Sequence, residues 1–157
     1  MKILYAASEC APFSKSGGLA DVAYSLPPVL KAGGDDVEII TPLYKCVWDH
    51  YSSQLTFRGT YPVTLRDMQI DAQVYQGERD GVTVWFICQE GLFMRDRLYG
   101  YTDDAWRFAF FSKAVIALLG LLSSCPDILH CNDWETAPAI LYLKDKSEEH
   151  TSELQSR

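Results

Sequence analysis

Short apolar runs, separated by stretches of helical period, set the plan of the chain. Lys2-Ile-Leu-Tyr-Ala-Ala-Ser8 is apolar from Ile3 to Ala7, the pattern of a strand buried on both faces in a parallel sheet. A loop with Pro12 and Gly17-Gly18 follows. Leu19, Val22, Ala23, Leu26, Val29 and Leu30 then recur at spacings of three and four and predict an amphipathic helix. Pro27-Pro28 falls inside that pattern, so a kink or break is expected there. Gly33-Gly34 is expected to stop the helix. Val37-Glu-Ile-Ile-Thr41, closed by Pro42, reads as a second strand. Strand, helix and strand in this order make a βαβ unit, whose crossover is almost always right-handed.

The period then changes. Residues 54–57, 61–65, 69–76 and 82–88 alternate polar and apolar positions, with turn material at Glu78-Arg-Asp-Gly81. They predict a β-rich insertion or meander exposed on one face. Residues 104–124 predict a long helix, apolar almost all round beyond Arg107 and therefore buried between layers. Asp103 or Asp104 is expected to cap it and Pro126 to end it. Asp127-Ile-Leu-His130 reads as another buried strand, and residues 135–144 as the start of a further helix. Nothing repeats internally. The fold class is α/β, a Rossmann-like parallel sheet carrying a β-rich insertion.

Composition narrows the possibilities. The 157 residues are 48% hydrophobic and 13% aromatic, enough for one packed domain and too apolar for a disordered chain. The most apolar stretch, residues 114–122, is too short to cross a bilayer. The net charge of −7 argues against nucleic acid and acidic membranes as partners, leaving small molecules, neutral polymers and proteins. Cys10, Cys46, Cys88, Cys125 and Cys131 form no CxxC pair, so they are expected to be reduced core thiols, with no disulfide framework and no metal site. No signal-peptide architecture opens the chain, and a cytoplasmic location is expected. The last stretch, residues 147–157, has neither period nor apolar face. Its string resembles the translation of a sequencing-adapter oligonucleotide, so it is set aside as an artefactual, disordered tail. Without it the balance is 13 Lys+Arg against 18 Asp+Glu, or −5, still acidic.

Three segments can carry chemistry. The first runs Ser8-Glu-Cys-Ala-Pro-Phe-Ser-Lys-Ser-Gly-Gly-Leu-Ala-Asp21, between strand and helix, where open α/β sheets bind ligands. Gly17 and Gly18 permit close backbone approach, the helix start offers free N–H groups, and Lys15 can meet a phosphate. A plain turn explains the two glycines equally well, and neither GxGxxG nor a Walker loop is present. The second is His130-Cys-Asn-Asp-Trp-Glu-Thr-Ala137. Asp133 can cap a helix or accept hydrogen bonds from sugar hydroxyls, and His130 and Asn132 share a side of the strand. The third is Leu98-Tyr-Gly-Tyr-Thr-Asp-Asp-Ala-Trp-Arg-Phe108. Its aromatic and charged residues suit carbohydrate, yet Trp106 and Phe108 read as core and Arg107 as the partner of an acid. Tyr99 stays open between the two.

Together these segments resemble the N-terminal catalytic lobe of bacterial glycogen synthase and plant starch synthase. Lys15-Ser-Gly-Gly-Leu-Ala-Asp-Val22 is similar to the family's K-[ST]-G-G-L-A-D-V block, and Leu98-Tyr-Gly100, Asp103-Asp104 before Arg107-Phe108, and His130-Cys-Asn-Asp-Trp134 follow in family order. The likeness covers residues 1–146. It implies a GT-B fold of two Rossmann-like lobes and transfer of glucose from ADP-glucose to the non-reducing end of an α-1,4-glucan, with retention and without metal or other cofactor. It implies donor contacts from Lys15 and Gly18, with Gly17 beside them, a catalytic Asp133, a sugar contact from Tyr99, and sugar or acceptor contacts from Glu9 and Asp21. Asn132 and Glu135 stand where many members carry His, which leaves their roles open. The family's C-terminal lobe supplies the nucleotide pocket and a catalytic glutamate, so the fragment alone is expected to be inactive. The rival readings are a sucrose-synthase-like or other retaining glucosyltransferase, and a non-catalytic glucan- or nucleotide-binding module.

Overall fold

The computed structural model describes the backbone of residues 1–155 and the side chains of residues 1–147. Most of the expected tail, 147–157, therefore lies outside the described side chains. Six strands form one sheet in the order β3-β4-β5-β2-β1-β6: β1 (Lys2–Ala6), β2 (Asp36–Pro42), β3 (Thr56–Leu65), β4 (Met68–Arg79), β5 (Val82–Cys88) and β6 (Ile128–Cys131). β1 lies between β2 and β6, and β2 lies against β5, all in parallel. The helix α1 (Gly18–Ala32) connects β1 to β2, which is the βαβ unit read from the hydrophobic pattern.

Three features depart from that pattern. The β-rich middle is a meander, one of the two expected forms, but it is joined to the main sheet rather than set apart from it. β3 and β4 pair antiparallel, β4 pairs antiparallel with β5, and β5 continues the parallel sheet beside β2. Residues 54–57 and 61–65 are largely one strand, interrupted by a bulge between Phe57 and Gly59. The tight turn joining β4 to β5 is Asp80-Gly81, both at positive φ, as a two-residue hairpin demands. Second, the long helix α4 (Asp104–Leu119) ends at Gly120, short of Pro126. Its cap is not a side chain: the Asp103 carboxylate holds Arg95 at 2.7 Å, and Asp104 accepts the Gly100 N–H at 2.8 Å. Third, β6 is half-exposed rather than buried, because β1 is its one partner among the described residues. The helix after it, α5 (Pro138–Gln155), starts later than the pattern suggests, since residues 133–137 form turns.

Short helices α2 (Lys45–Tyr51) and α3 (Glu90–Phe93) follow β2 and β5, and neither was legible as a helix. α4 packs on β3 and α5 and buries Phe108, Phe110, Phe111, Ala114, Val115 and Leu118, as its apolar circumference implies. Of the cysteines, all free, Cys10 and Cys88 are buried, while Cys46 and Cys125 are exposed. No described helix is long and apolar enough to cross a membrane.

α1 stays continuous through Pro27 and Pro28, so the expected break does not occur. The aromatic centre lies elsewhere. Phe93 is fully buried, with ring centroids of Tyr44 at 5.9 Å and of Phe108, Phe110 and Phe111 at 6.4 Å. Arg107 lies 5.5 Å from the same ring. Truncating a ring so enclosed leaves a cavity that rigid neighbours cannot fill. Phe93→Ala is expected to destabilise the fold by about 3–5 kcal/mol, read as a lower midpoint in urea unfolding.

Candidate functional site

The site follows from the order of the strands. The chain leaves β1 for β2 on one side and returns to β6 on the other, so the carboxyl ends of β1 and β6 flank a topological switch point, where open α/β sheets take ligands. Two loops meet there. Residues 7–17 follow β1, and residues 132–137 follow β6, where the Asn132 N–H donates to the Ala6 carbonyl at 3.0 Å.

The first loop is shaped from inside by Glu9. This side chain is buried, yet its carboxylate accepts the Ser16 N–H, the Ser16 hydroxyl at 2.7 Å and the Gly17 N–H at 3.3 Å. Charge-assisted bonds of this kind make a buried carboxylate tolerable. No side chain caps α1, so beyond Gly17 the helix presents its positive end outward. A Cβ built on Gly17 or Gly18 would meet no protein atom within 4 Å, and Gly17 is extended. Neither packing nor left-handed geometry calls for these glycines. What they leave is open space in front of the amides. Lys15 is exposed beside that space, its Nζ bonded to Asp21 Oδ1 at 2.6 Å. Asp21 lies in the first turn of α1, where a carboxylate favours the dipole. Next to this loop is an open cavity of about 610 Å³, lined by Pro12–Ser16, by Cys46, His50 and Tyr51 near α2, and by residues 96–98. A second cavity of about 790 Å³ lies away from the crevice, between Trp106, Lys113, Arg66 and Tyr142.

The second loop presents Asp133. It is exposed and sits at φ 65°, a left-handed conformation that Asp tolerates better than most residues. Its Oδ1 accepts the Trp134 N–H at 2.7 Å. It does not begin α5, which starts at Pro138, but its carbonyl accepts the N–H groups of Thr136 and Ala137. His130 stacks on Tyr5 with centroids 4.6 Å apart, and the Asn132 amide donates to the Tyr5 hydroxyl. Both thus lie on one side of β6, as the alternation implied, and both face protein.

Tyr99 links the first loop to α4, and the Phe108 ring of α4 meets that of Trp134 in the second loop at 5.3 Å. The Tyr99 hydroxyl shares a 2.8 Å hydrogen bond with Ser8 Oγ, and its ring lies 5.7 Å from Phe108. The fully buried Arg107 holds that segment: Nη1 donates to the Leu98 carbonyl at 2.9 Å and to Asp104 Oδ1 at 2.6 Å, while Nε donates to the Leu92 carbonyl at 2.7 Å. Arg107 is therefore paired to an acid and Phe108 is core, as read from the sequence; Trp106 is half-buried. Tyr44, from the turn after β2, donates to the Ser8 carbonyl at 2.8 Å. Tyr44 and the role of Ser8 are the parts that motif reading missed, and no signal in the sequence marked either.

Behind the crevice lies a second buried carboxylate, Glu135. Its Oε2 has no hydrogen-bond partner, and its backbone carbonyl accepts from Ser112 of α4 at 3.1 Å. Burial raises its pKa above the ordinary carboxyl value, with the nearby Asp133 and Glu9 carboxylates pushing the same way. Burial likewise raises the Tyr99 and Tyr44 hydroxyls. A carboxyl whose folded pKa is raised holds its proton longer folded than unfolded, so stability falls as pH rises from about 4 through the folded value. Glu135→Gln removes this dependence. The stability of the variant relative to the parent is expected to grow from pH 4 to 7 in a denaturant series; a difference constant with pH would contradict the assignment.

Known proteins align with this arrangement. A family model described as the starch synthase catalytic domain matches residues 2–156. The glycogen synthase of Finegoldia magna is 43% identical over 145 residues, which is 92% of this chain and 31% of that protein. That of Clostridium kluyveri is 45% identical over 136 residues, 87% of this chain and 29% of that protein. The catalytic domain of starch synthase IV from Arabidopsis thaliana, solved bound to ADP and acarbose, superimposes with a TM-score of 0.80 at 34% identity, over 87% of this chain and 29% of that one. The chain thus spans about a third or less of the relatives it matches. Its mixed sheet is the α/β architecture of the GT-B starch synthase domain. With the family model matched over residues 2–156 and the relatives more than 40% identical over most of its length, the chain belongs to the starch synthase catalytic-domain family.

Proposed function

We propose that this chain is the N-terminal lobe of a glycogen or starch synthase, a retaining glucosyltransferase that moves glucose from ADP-glucose to the non-reducing end of an α-1,4-glucan. The observation that carries the reading is the uncapped, glycine-opened start of α1 beside Lys15, on the loop next to the one that presents Asp133 at the β1–β6 switch point. As glucose departs from the diphosphate, negative charge grows on the leaving oxygens. Free amides of α1, its dipole and the Lys15 ammonium lie where that charge can be stabilised without a metal or other cofactor. Gly17 and Gly18 let the phosphates reach the backbone. Lys15 must first release Asp21, or share it, to do so.

On the sugar side, Asp133 presents a carboxylate from a backbone fixed by the two amides its carbonyl accepts, and it is the group set to act at the transferred glucose. Tyr99 and Asp21 lie at the margins of the same crevice as hydroxyl partners. Glu9 works from beneath: its carboxylate is occupied by the loop, so its contribution is the shape of the donor site. The open cavity along Lys15, Tyr51 and Arg97 suits the acceptor glucan. A cytoplasmic setting, where nucleotide sugars are made, accords with this reading, and neither nucleic acid nor membrane has a part in it.

The test is a hybrid enzyme in which this chain replaces the matching segment of the Clostridium kluyveri glycogen synthase. The hybrid is expected to incorporate labelled glucose from ADP-glucose into glycogen, while the 157-residue chain alone incorporates none. Lys15→Ala and Asp133→Ala are each expected to lower kcat by roughly 100-fold or more, the scale of losing one group that stabilises transition-state charge. A folded hybrid that binds glucan yet transfers glucose from neither ADP- nor UDP-glucose would instead identify a binding module. Preference for UDP-glucose would point to a different retaining glucosyltransferase.

A further inference from the structure

α1 carries two consecutive prolines and remains continuous, which leaves backbone acceptors without their usual partners. A proline at position i supplies no N–H to the carbonyl at i−4. Pro28 therefore frees the carbonyl of Tyr24, and the structure shows what takes it. Arg79, the last residue of β4, donates from Nη2 to the Tyr24 carbonyl at 2.7 Å. The other arm of the same guanidinium, Nη1, donates to the Ala11 carbonyl at 2.9 Å. Its carbon lies 4.4 Å from the Tyr24 ring centroid, and its side chain is only 6% exposed. The neighbouring turn is tied to the same helix, since Lys31 donates to the Gly81 carbonyl.

We infer that Arg79 is a positioning residue for the loop after β1: its guanidinium replaces the amide that Pro28 lacks and, with its second arm, fastens the Ala11 segment of that loop to the side of α1. Ser8, at the start of the loop, is held by Tyr44 and Tyr99, and the Pro12 carbonyl accepts from the Tyr51 hydroxyl at 3.4 Å. Ala11 N–H donates to the Ala20 carbonyl at 3.4 Å, and Ser14 N–H donates to the Cys10 carbonyl at 2.9 Å. Downstream, the Glu9 carboxylate gathers Ser16 and Gly17. Arg79 thus fastens the middle of the loop at Ala11, between the Ser8 and Glu9 anchors, and Lys15 projects four residues later. The geometry requires a rigid fork with two diverging N–H groups, which a lysine ammonium does not provide. A proline pair that would weaken an ordinary helix becomes the socket for a side chain from the far hairpin.

That the fastened loop holds a sugar-nucleotide donor rests on the function proposed above; the loop's rigidity does not, so the two can fail separately. The experiment is hydrogen–deuterium exchange on the 157-residue chain, with Arg79→Met, Arg79→Lys and Pro28→Ala variants and thermal midpoints for each. Exchange in the segment 11–17 is expected to quicken at least 10-fold in both Arg79 variants, while the β2–β5 ladder keeps its protection. Pro28→Ala restores an amide to Tyr24, so the fall in midpoint caused by Arg79→Met is expected to be smaller in that background than with proline present. Loop exchange within twofold of the parent overturns the inference, as does an equal fall in both backgrounds. Acceleration spread evenly over loop and ladder also overturns it, by making Arg79 a general stabiliser. If Arg79→Met does not fold, Arg79→Lys decides the loop measurement.

Discussion

A carboxylate can sit at the end of a central strand, out of water, only if donors are brought to it. Glu9 imposes that condition on everything around the crevice. The donors it receives are the amides of Ser16 and Gly17 and the Ser16 hydroxyl, so the chain after β1 must turn back on itself before α1 begins. That return decides which amides remain for a ligand. Those of residues 16 and 17 are consumed within the protein, and the next ones, at the start of α1, are left open. The glycines and Lys15 acquire their meaning from this fold-back, more than from proximity in sequence.

The opposite wall obeys a similar rule with the charges reversed. Arg107 is wholly enclosed by α4, α3 and the segment carrying Tyr99, and it is tolerated because the Leu92 and Leu98 carbonyls and Asp104 surround it. Removing one partner from such a buried set is far more harmful than its net contribution suggests. Through Leu98 the cation fixes Tyr99, and through the Tyr99–Ser8 bond the wall meets the end of β1. Two buried charges of opposite sign, Glu9 held by loop donors and Arg107 by three of its neighbours through Nε and Nη1, hold the two sides of one crevice in place.

How much of this was legible follows from the range of each interaction. The βαβ unit, the hairpin turn and the buried face of α4 are written in nearest-neighbour periodicity, so they could be read directly. The placement of the Lys15–Gly18 and Asp133 segments beyond neighbouring parallel strands could be read, because the loop carrying each directly follows a short apolar run. The side-by-side placement of β5 and β2 could not, since alternation describes one strand's faces and never names its neighbour. The survival of α1 through two prolines was equally hidden, because the group that takes the freed carbonyl lies more than fifty positions away. The short α2 and α3 have too few turns to establish a period. Glu135 read as a departure from a histidine pattern, and only its burial against Glu9 and Asp133 gave it a physical character of its own.

The ion pair between Lys15 and Asp21 bears on which anions can reach the start of α1. An ammonium facing bulk water beside a helix start would gather whatever small anions the solution offers, and chloride or inorganic phosphate would compete with any true ligand. With Asp21 held against it, the site carries its own counter-anion. A monovalent competitor then gains little by entering, since it trades one single-charge partner for another. A diphosphate brings two groups at once, one able to draw away the lysine and one to face the amides that Asp21 never touches. On the function proposed above, this exposed pair would favour a diphosphate over a single-charge anion by exchange and without steric exclusion, by about 1 kcal/mol or less.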